Sequence, residues 1–229
     1  PYFPDTPKVR VALARMYTQI EKTDAYLGEI LRQLEEDGLA DSTFVFNWSD
    51  HGPLPRGKRW PYDSGIRVPL IVRGPGIAAR QVNEELVSTV DLGPTLLSLA
   101  GEEVPSHMQG QALLGPKARP PREYIYASRD RHDTAYDMVR AVRDKRFKYI
   151  RNCRPDLPYL LWVPYHNRHP IVQEMWRMHL AGKLEGPQKL MFQPHRPVEE
   201  LYDTANDPFE IENLAADPVH GKELVRLRA

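Results

Sequence analysis

Apolar residues recur at three- and four-residue intervals along the first part of the chain: Leu13, Met16, Tyr17, Ile20, Leu27, Ile30, Leu31 and Leu34. That spacing lays a single stripe along a long amphipathic helix. The proline-bounded lead-in from Pro1 to Pro7 supplies its start, with Asp5 or Thr6 as cap. Pro7 falls in the first turn, where a missing N–H does no harm. Gly38 is the stop. Asp41 and Ser42 then turn the chain into 43–48, a β-branched and aromatic run with no clean alternation. This pattern predicts a strand covered on both faces. A second short strand is expected over 68–72, with Pro69 marking an edge or a strand start, and Arg73-Gly74-Pro75-Gly76 forms a turn. Residues 88–99 read as a helix capped by Ser88 or Asp91, with Pro94 early in it and Gly101 beyond its end. The order helix, strand, loop, strand, helix is α/β logic.

Residues 104–122 are rich in proline and glycine and read as a linker. Beyond it, 124–127, 138–143 and 147–150 predict short antiparallel strands with charged turns. A helix is expected over 170–184, a last strand over 200–203, and then a polar tail. The organisation expected is therefore an α/β portion over 1–103 and a linker plus α+β subdomain with an antiparallel sheet over 104–229.

Composition changes this picture little. The 229 residues are 41% hydrophobic and 27% charged, with a formal net charge of +0. A real core is affordable, and a general nucleic-acid or membrane-surface binder, which carries a basic surplus, is disfavoured. No apolar stretch is long enough to span a bilayer. The single cysteine, Cys153, excludes an internal disulfide. The chain opens Pro1-Tyr2-Phe3-Pro4, without an initiator Met, and reads as cut from a longer polypeptide.

Candidate chemistry concentrates at Ser49-Asp50-His51-Gly52, where the 43–48 run ends, followed by the basic loop Pro53-Leu54-Pro55-Arg56-Gly57-Lys58. Ligands of open α/β sheets gather at the carboxyl ends of strands. A carboxylate beside an imidazole can hold a metal ion where a glycine lets the backbone leave regular geometry. The donors do not fix the ion: Asp suits calcium or magnesium, and His leans towards zinc or manganese. The alternative is a loop Asp capping a backbone N–H beside a half-buried His. Lys58, a compact point charge, suits one oxygen of a sulfate or phosphate; the alternative is a solvated lysine in a basic loop with Arg56 and Arg59. Arg129-Asp130-Arg131-His132-Asp133 either lines a substrate pocket or is a solvated turn. The Tyr-, Trp- and Pro-rich run 157–169 is either a packing loop or a sugar-stacking surface. His166, His169 and His195 lack metal-ligand spacing, and Cys153-Arg154-Pro155-Asp156-Leu157 breaks a Cys-x-Pro-x-Arg nucleophile motif at its last position.

Taken in order, Asp24 to Leu31, Thr43 to Gly52, Gly57-Lys58-Arg59-Trp60-Pro61-Tyr62-Asp63-Ser64-Gly65-Ile66-Arg67-Val68-Pro69, Val90 to Thr95, Glu200-Leu201-Tyr202-Asp203, Asp207-Pro208 and Glu212-Asn213-Leu214 resemble the sulfatases of the alkaline-phosphatase superfamily. The opening Tyr2-Phe3-Pro4-Asp5-Thr6-Pro7 and the short loop before Lys58 are most similar to the heparan N-sulfatase branch. The resemblance implies part of an α/β/α sandwich plus a small C-terminal subdomain. It makes Asp50 and His51 metal ligands and Lys58 the sulfate-contacting, catalytic lysine. Arg56, Arg129 and His132 become substrate-contacting positions. The implied cation is calcium, with manganese or magnesium open, and the implied nucleophile is a formylglycine preceding Pro1. The implied partner is a sulfated small molecule or glycan, with neither nucleic acid nor membrane. A phosphodiesterase or phosphonate hydrolase of the same superfamily, or a non-catalytic binder of sulfated glycans, are the competing readings.

Overall fold

The computed structural model describes residues 1–53 and 55–229; Leu54, within the basic loop, lies outside them. Helix α1 (Pro7–Glu36) begins as its sequence dictates. Thr6 is the cap, its hydroxyl accepting from Val9 N–H at 3.3 Å, and Pro7 sits in the first turn. Gly38, at φ +69°, lies just beyond the helix. Only the first turns of α1 are packed. Val9 joins Leu160, Ile171, Val172, Met175 and Met191, with Leu13 at the edge, against α5 (Pro170–Leu180). The rest of the expected stripe is half-buried or open, with Tyr17 62% exposed.

Strand β1 (Val45–Trp48) pairs antiparallel with β2 (Leu70–Arg73) in a two-stranded sheet. The expected coverage of β1 on both faces is not what these residues show. Its residues are half-buried and Trp48 is exposed, because the two-strand ribbon meets no second layer among the described residues. Between the strands runs the 52–66 loop, ending in the single turn α2 (Asp63–Ile66). The expected 88–99 helix is divided. A 3₁₀ turn, Thr89–Asp91, carries a capping box between Ser88 and Asp91, and α3 (Leu92–Leu99) follows.

The second sheet has the order β3 (Ile125–His132), β4 (Ala135–Arg143), β5 (Phe147–Asn152), β6 (Glu199–Asp203), all antiparallel. Strand β3 runs on through Arg129 to His132, so that segment is strand and not the solvated turn that was its alternative; the chain reverses at Asp133, φ +54°. The period of two divides β5 cleanly. Phe147 and Tyr149 pack with Leu201 and with Leu227 of α6 (Gly221–Arg228). Lys148 and Ile150 face the other way. On that face Trp60 and Tyr62 from the 52–66 loop pack on Val139, Ala141, Ile150 and Tyr202. Helix α4 (Pro164–Asn167) precedes α5, which stops at Leu180, short of the expected 184, with Gly182 at φ +68° just beyond. The tail, expected to be merely polar, contains α6: its apolar Leu227 finds the sheet.

Candidate metal and anion site

The 52–66 loop is closed by three glycines. Gly52 N–H donates to the Gly65 carbonyl at 2.9 Å. A Cβ on Gly52 would lie 1.7 Å from the Ser64 carbonyl oxygen, one on Gly57 2.0 Å from that of Pro53, and one on Gly65 2.3 Å from that of Gly57. Backbone passes against backbone at each position, a closeness only glycine permits. The two ends of the loop therefore interlock, and His51 and Lys58 extend from residues adjoining the same contact. Ser64 Oγ adds a bond to the Arg56 carbonyl at 3.1 Å.

Asp50 and His51 face each other at one end. Asp50 Oδ2 is 3.4 Å from His51 Nε2, and the Asp50 carboxylate is 82% exposed. Ser49 Oγ donates to the His51 carbonyl at 2.8 Å, fixing the turn. His51 Nδ1 lies 2.9 Å from the Gly52 carbonyl. Carbonyl oxygen only accepts, so Nδ1 carries the proton and Nε2 presents a lone pair in the neutral ring. Two acceptors then face one another, and a cation can bridge them. A proton on Nε2 satisfies them as an ion pair. A divalent metal satisfies the same lone pairs, since ligands at about 2.0–2.4 Å subtending slightly more than a right angle stand about that far apart. The donor set fits a divalent ion but does not complete its shell: no group of three or more His, Cys, Asp or Glu suited to a metal occurs among the described residues.

Lys58 is half-buried. Its Nζ sits 3.3 Å from the Tyr165 hydroxyl and 4.8 Å from the Tyr165 ring centroid. It has no carboxylate partner among the described residues. His132 closes on the same tyrosine, ring centroids 6.5 Å apart. Burial and then the charges of Arg59, Arg129 and Lys58 hold the His132 imidazole below its ordinary pKa. His132 is thus a neutral ring in a positive field. Arg59, at φ +75°, holds a left-handed backbone that is strained for a residue other than glycine. It is held by its own bond to the Leu161 carbonyl at 3.0 Å and by Arg129 donating to its carbonyl at 2.6 Å. Burial, followed by Arg129, pulls the Arg59 guanidinium down to about 10.

Two expected substrate contacts are turned inward. Arg56 is buried, its guanidinium between the rings of Tyr2 and Tyr62 at 4.2 and 3.9 Å. It donates to the carbonyls of Phe209 at 2.7 Å and Glu210 at 2.8 Å. Both terminal nitrogens donate to these carbonyls, so the Arg56 guanidinium braces the loop against 209–210 and does not face solvent. Arg129 stacks over Trp60 at 4.3 Å and pairs with Asp137, which also takes a bidentate grip from Arg196 at 2.6 and 2.8 Å. Arg129 Nη1 and Nη2 are thus engaged by the Arg59 carbonyl and Asp137.

Sequence reasoning passed over Tyr165 and His166. His166 is buried, Nε2 3.1 Å from the Pro55 carbonyl, and burial followed by the Arg59 charge pushes its pKa down to about 3. A neutral His166 donating to Pro55 steadies the segment just before Arg56. The signal was its place in the 157–169 run, whose partners only the fold reveals. Within that run Leu160 and Val163 are buried and Tyr159 packs on Trp60, as a packing loop would, while Trp162 is exposed. Cys153 is an exposed loop residue.

Residues 2–102 match the Sulfatase family model. Over its full length the chain is 46% identical to an ulvan-active sulfatase of Formosa agariphila and covers 39% of that protein. It is 33% identical to human N-sulphoglucosamine sulphohydrolase, again over the full chain and 48% of the relative. The chain thus spans less than half the length of these curated relatives. A solved protein in complex with its substrate D-glucosamine-2-N,6-O-disulfate superposes with a TM-score of 0.61 at 24% identity, over 91% of this chain and 37% of that one. That likeness establishes the alkaline-phosphatase-like fold for these mixed helices and antiparallel sheets.

Proposed function

Because this chain belongs to the sulfatase family, we propose that the protein carrying it hydrolyses sulfate esters or N-sulfate groups on sulfated carbohydrate. The observation that carries the reading is the interlocked 52–66 loop. It puts an acceptor pair suited to a cation, and a lysine without a carboxylate partner among the described residues, on adjoining backbone. Sulfatases use a metal ion and a formylglycine; bound here, calcium in our reading, with manganese or magnesium as alternatives, would supply positive charge and the aldehyde hydrate the nucleophile.

This chain's own residues then have separate tasks. Asp50 and His51 Nε2 hold the cation, with the Gly52 carbonyl fixing the imidazole tautomer as an outer partner does in metal sites. Lys58 sets its ammonium against a sulfate oxygen and stabilises the charge that develops there. Tyr165 keeps that amine in place by its hydroxyl and ring face. His132, neutral, offers hydrogen bonds to a sugar at the rim. Cys153, in a broken motif on an exposed loop, is not the formylglycine precursor, so the isolated chain is expected to release no sulfate.

The test is release of inorganic sulfate from sulfated saccharides by the full-length protein. Release should stop with a chelator and return with calcium. Both curated relatives are sulfatases by name, which ranks sulfate over phosphate. Faster turnover of a phosphodiester or phosphonate would reverse that ranking, and glycan binding without release would make the protein a binder only.

A further inference from the structure

Beneath the candidate site lies a second cluster of charges, fully enclosed. Lys148, on the loop-facing side of β5, is 0% exposed. Its Nζ is 2.5 Å from Asp63 Oδ1 and 2.6 Å from Glu210 Oε1. Asp63 also takes Arg143 from β4, Nε and Nη2 each at 3.1 Å, and its own N–H donates to Glu210 Oε2 at 2.6 Å. Arg143 is fixed in turn by the Thr204 hydroxyl at 3.0 Å. Beside it, Tyr62 donates to Glu200 at 2.8 Å, a buried carboxylate that also receives Tyr202 and Asn152. Three distant stretches of chain meet here: the 52–66 loop, strands β4 to β6, and the segment ending at Glu210.

Glu210 has φ +54°, a left-handed backbone that a residue other than glycine adopts at a cost of about 1 kcal/mol or more. The conformation turns its carboxylate onto Asp63 N–H and Lys148 while its carbonyl meets Arg56. A buried ion cluster of this kind adds little net stability over apolar packing, because desolvation offsets the attraction. What it does supply is geometry, since each partner has one satisfactory place.

We propose that Asp63, Lys148 and Glu210 are positioning residues for the site: they pin the C-terminal end of the 52–66 loop to the β-sheet and thereby set the spacing between Lys58 and the Asp50–His51 pair. The mechanical route is continuous. Asp63 is joined to Ser64 and Gly65, whose backbone meets Gly52 beside His51 and Gly57 beside Lys58. Moving Asp63 moves that contact. The inference rests on the catalytic reading of Lys58 for its kinetic consequence, but not for its structural one.

The experiment uses the full-length protein with Lys148→Arg and Glu210→Gln, reading amide exchange, thermal midpoint, kcat and KM on a sulfated saccharide. Lys148→Arg keeps the charge in a larger, planar group; Glu210→Gln keeps the shape and an acceptor for Asp63 N–H. Expected is faster exchange within 52–66, roughly tenfold, with α5 unchanged. Expected too is a fall in kcat of about tenfold or more with KM altered far less, as displacement of reacting groups by about 1 Å produces. If Lys148→Arg does not fold, Glu210→Gln carries the same readings. Wild-type exchange and kcat in a folded variant, or loosening spread evenly over the chain, overturns the proposal. Selective loosening of 52–66 in a protein that never releases sulfate upholds the positioning and defeats the sulfatase reading instead.

Discussion

Two aspartates at the two ends of one loop live in opposite surroundings. Asp50 is open to solvent and faces only His51. Asp63 is buried, and although burial acts to raise its carboxyl, Lys148 and Arg143 outweigh that and hold it below the usual range. Two lysines repeat the contrast. Lys148 is sealed between carboxylates, while Lys58 rests on a tyrosine with no carboxylate partner among the described residues. A side chain whose bonds are all taken by its own protein can fix a backbone but cannot meet a ligand. One left underpartnered is available, provided something else holds it still. Glu210 sharpens the point. Burial, against the pull of Lys148, raises its carboxyl, whereas that of Asp63, with Arg143 as a second cation, is lowered.

The contrast breaks most visibly if the buried lysine is emptied. Lys148→Met leaves Glu210 without its cation and Asp63 with Arg143 alone, and should cost about 3–5 kcal/mol of stability, measured by denaturant unfolding; a loss under about 1 kcal/mol would mean the cluster is not what holds the loop. At the open end the effect should be kinetic. Asp50→Ala is expected to lower sulfate release about a thousandfold while leaving the far-ultraviolet spectrum and unfolding midpoint of the chelated protein unchanged. Lys58→Ala should cost about a hundredfold in kcat, again with the fold intact; near-normal kinetics would take Lys58 out of the site.

A smaller effect separates the brace from the site by pH. Unfolded histidine titrates near pH 6.5, whereas folded His166 is held down at about 3. Between these values only the unfolded chain takes up the proton. The stability this group contributes is therefore complete above about pH 6.5 and falls as pH drops towards 3. His166→Gln lacks that slope, so the advantage of wild type over variant should shrink by about 2 kcal/mol between pH 7 and pH 5. A constant difference would show that His166 already titrates normally.

The sequence made the local features legible, because their causes are local. Thr6 and Pro7 start α1, glycines lie just past helix ends, and period-two runs form β4 and β5. It also located Asp50, His51 and Lys58 at a strand end. It could not separate Arg56 from Lys58, two cations on one basic loop, since what turns Arg56 inward is a pair of carbonyls at Phe209 and Glu210. Nor could it show that Lys148, within an ordinary-looking strand, faces the loop, or that α6 would find a partner in the sheet. These depend on contacts between distant stretches, which no local pattern encodes. The apolar stripe of α1 is the converse case: its period made the helix, but its burial depends on what packs there, and beyond the first turns Met16, Leu27, Leu31 and Leu34 are half-buried while Tyr17, Ile20 and Ile30 are exposed among the described residues.

The most direct measurement is a crystal structure of the full-length protein grown with Mn²⁺ and inorganic sulfate, with the metal located by anomalous scattering. The account predicts one metal peak within about 2.0–2.4 Å of both the Asp50 carboxylate and His51 Nε2, with a sulfate oxygen between that ion and the Lys58 amine. A metal held elsewhere, or a sulfate that Lys58 does not touch, would contradict it.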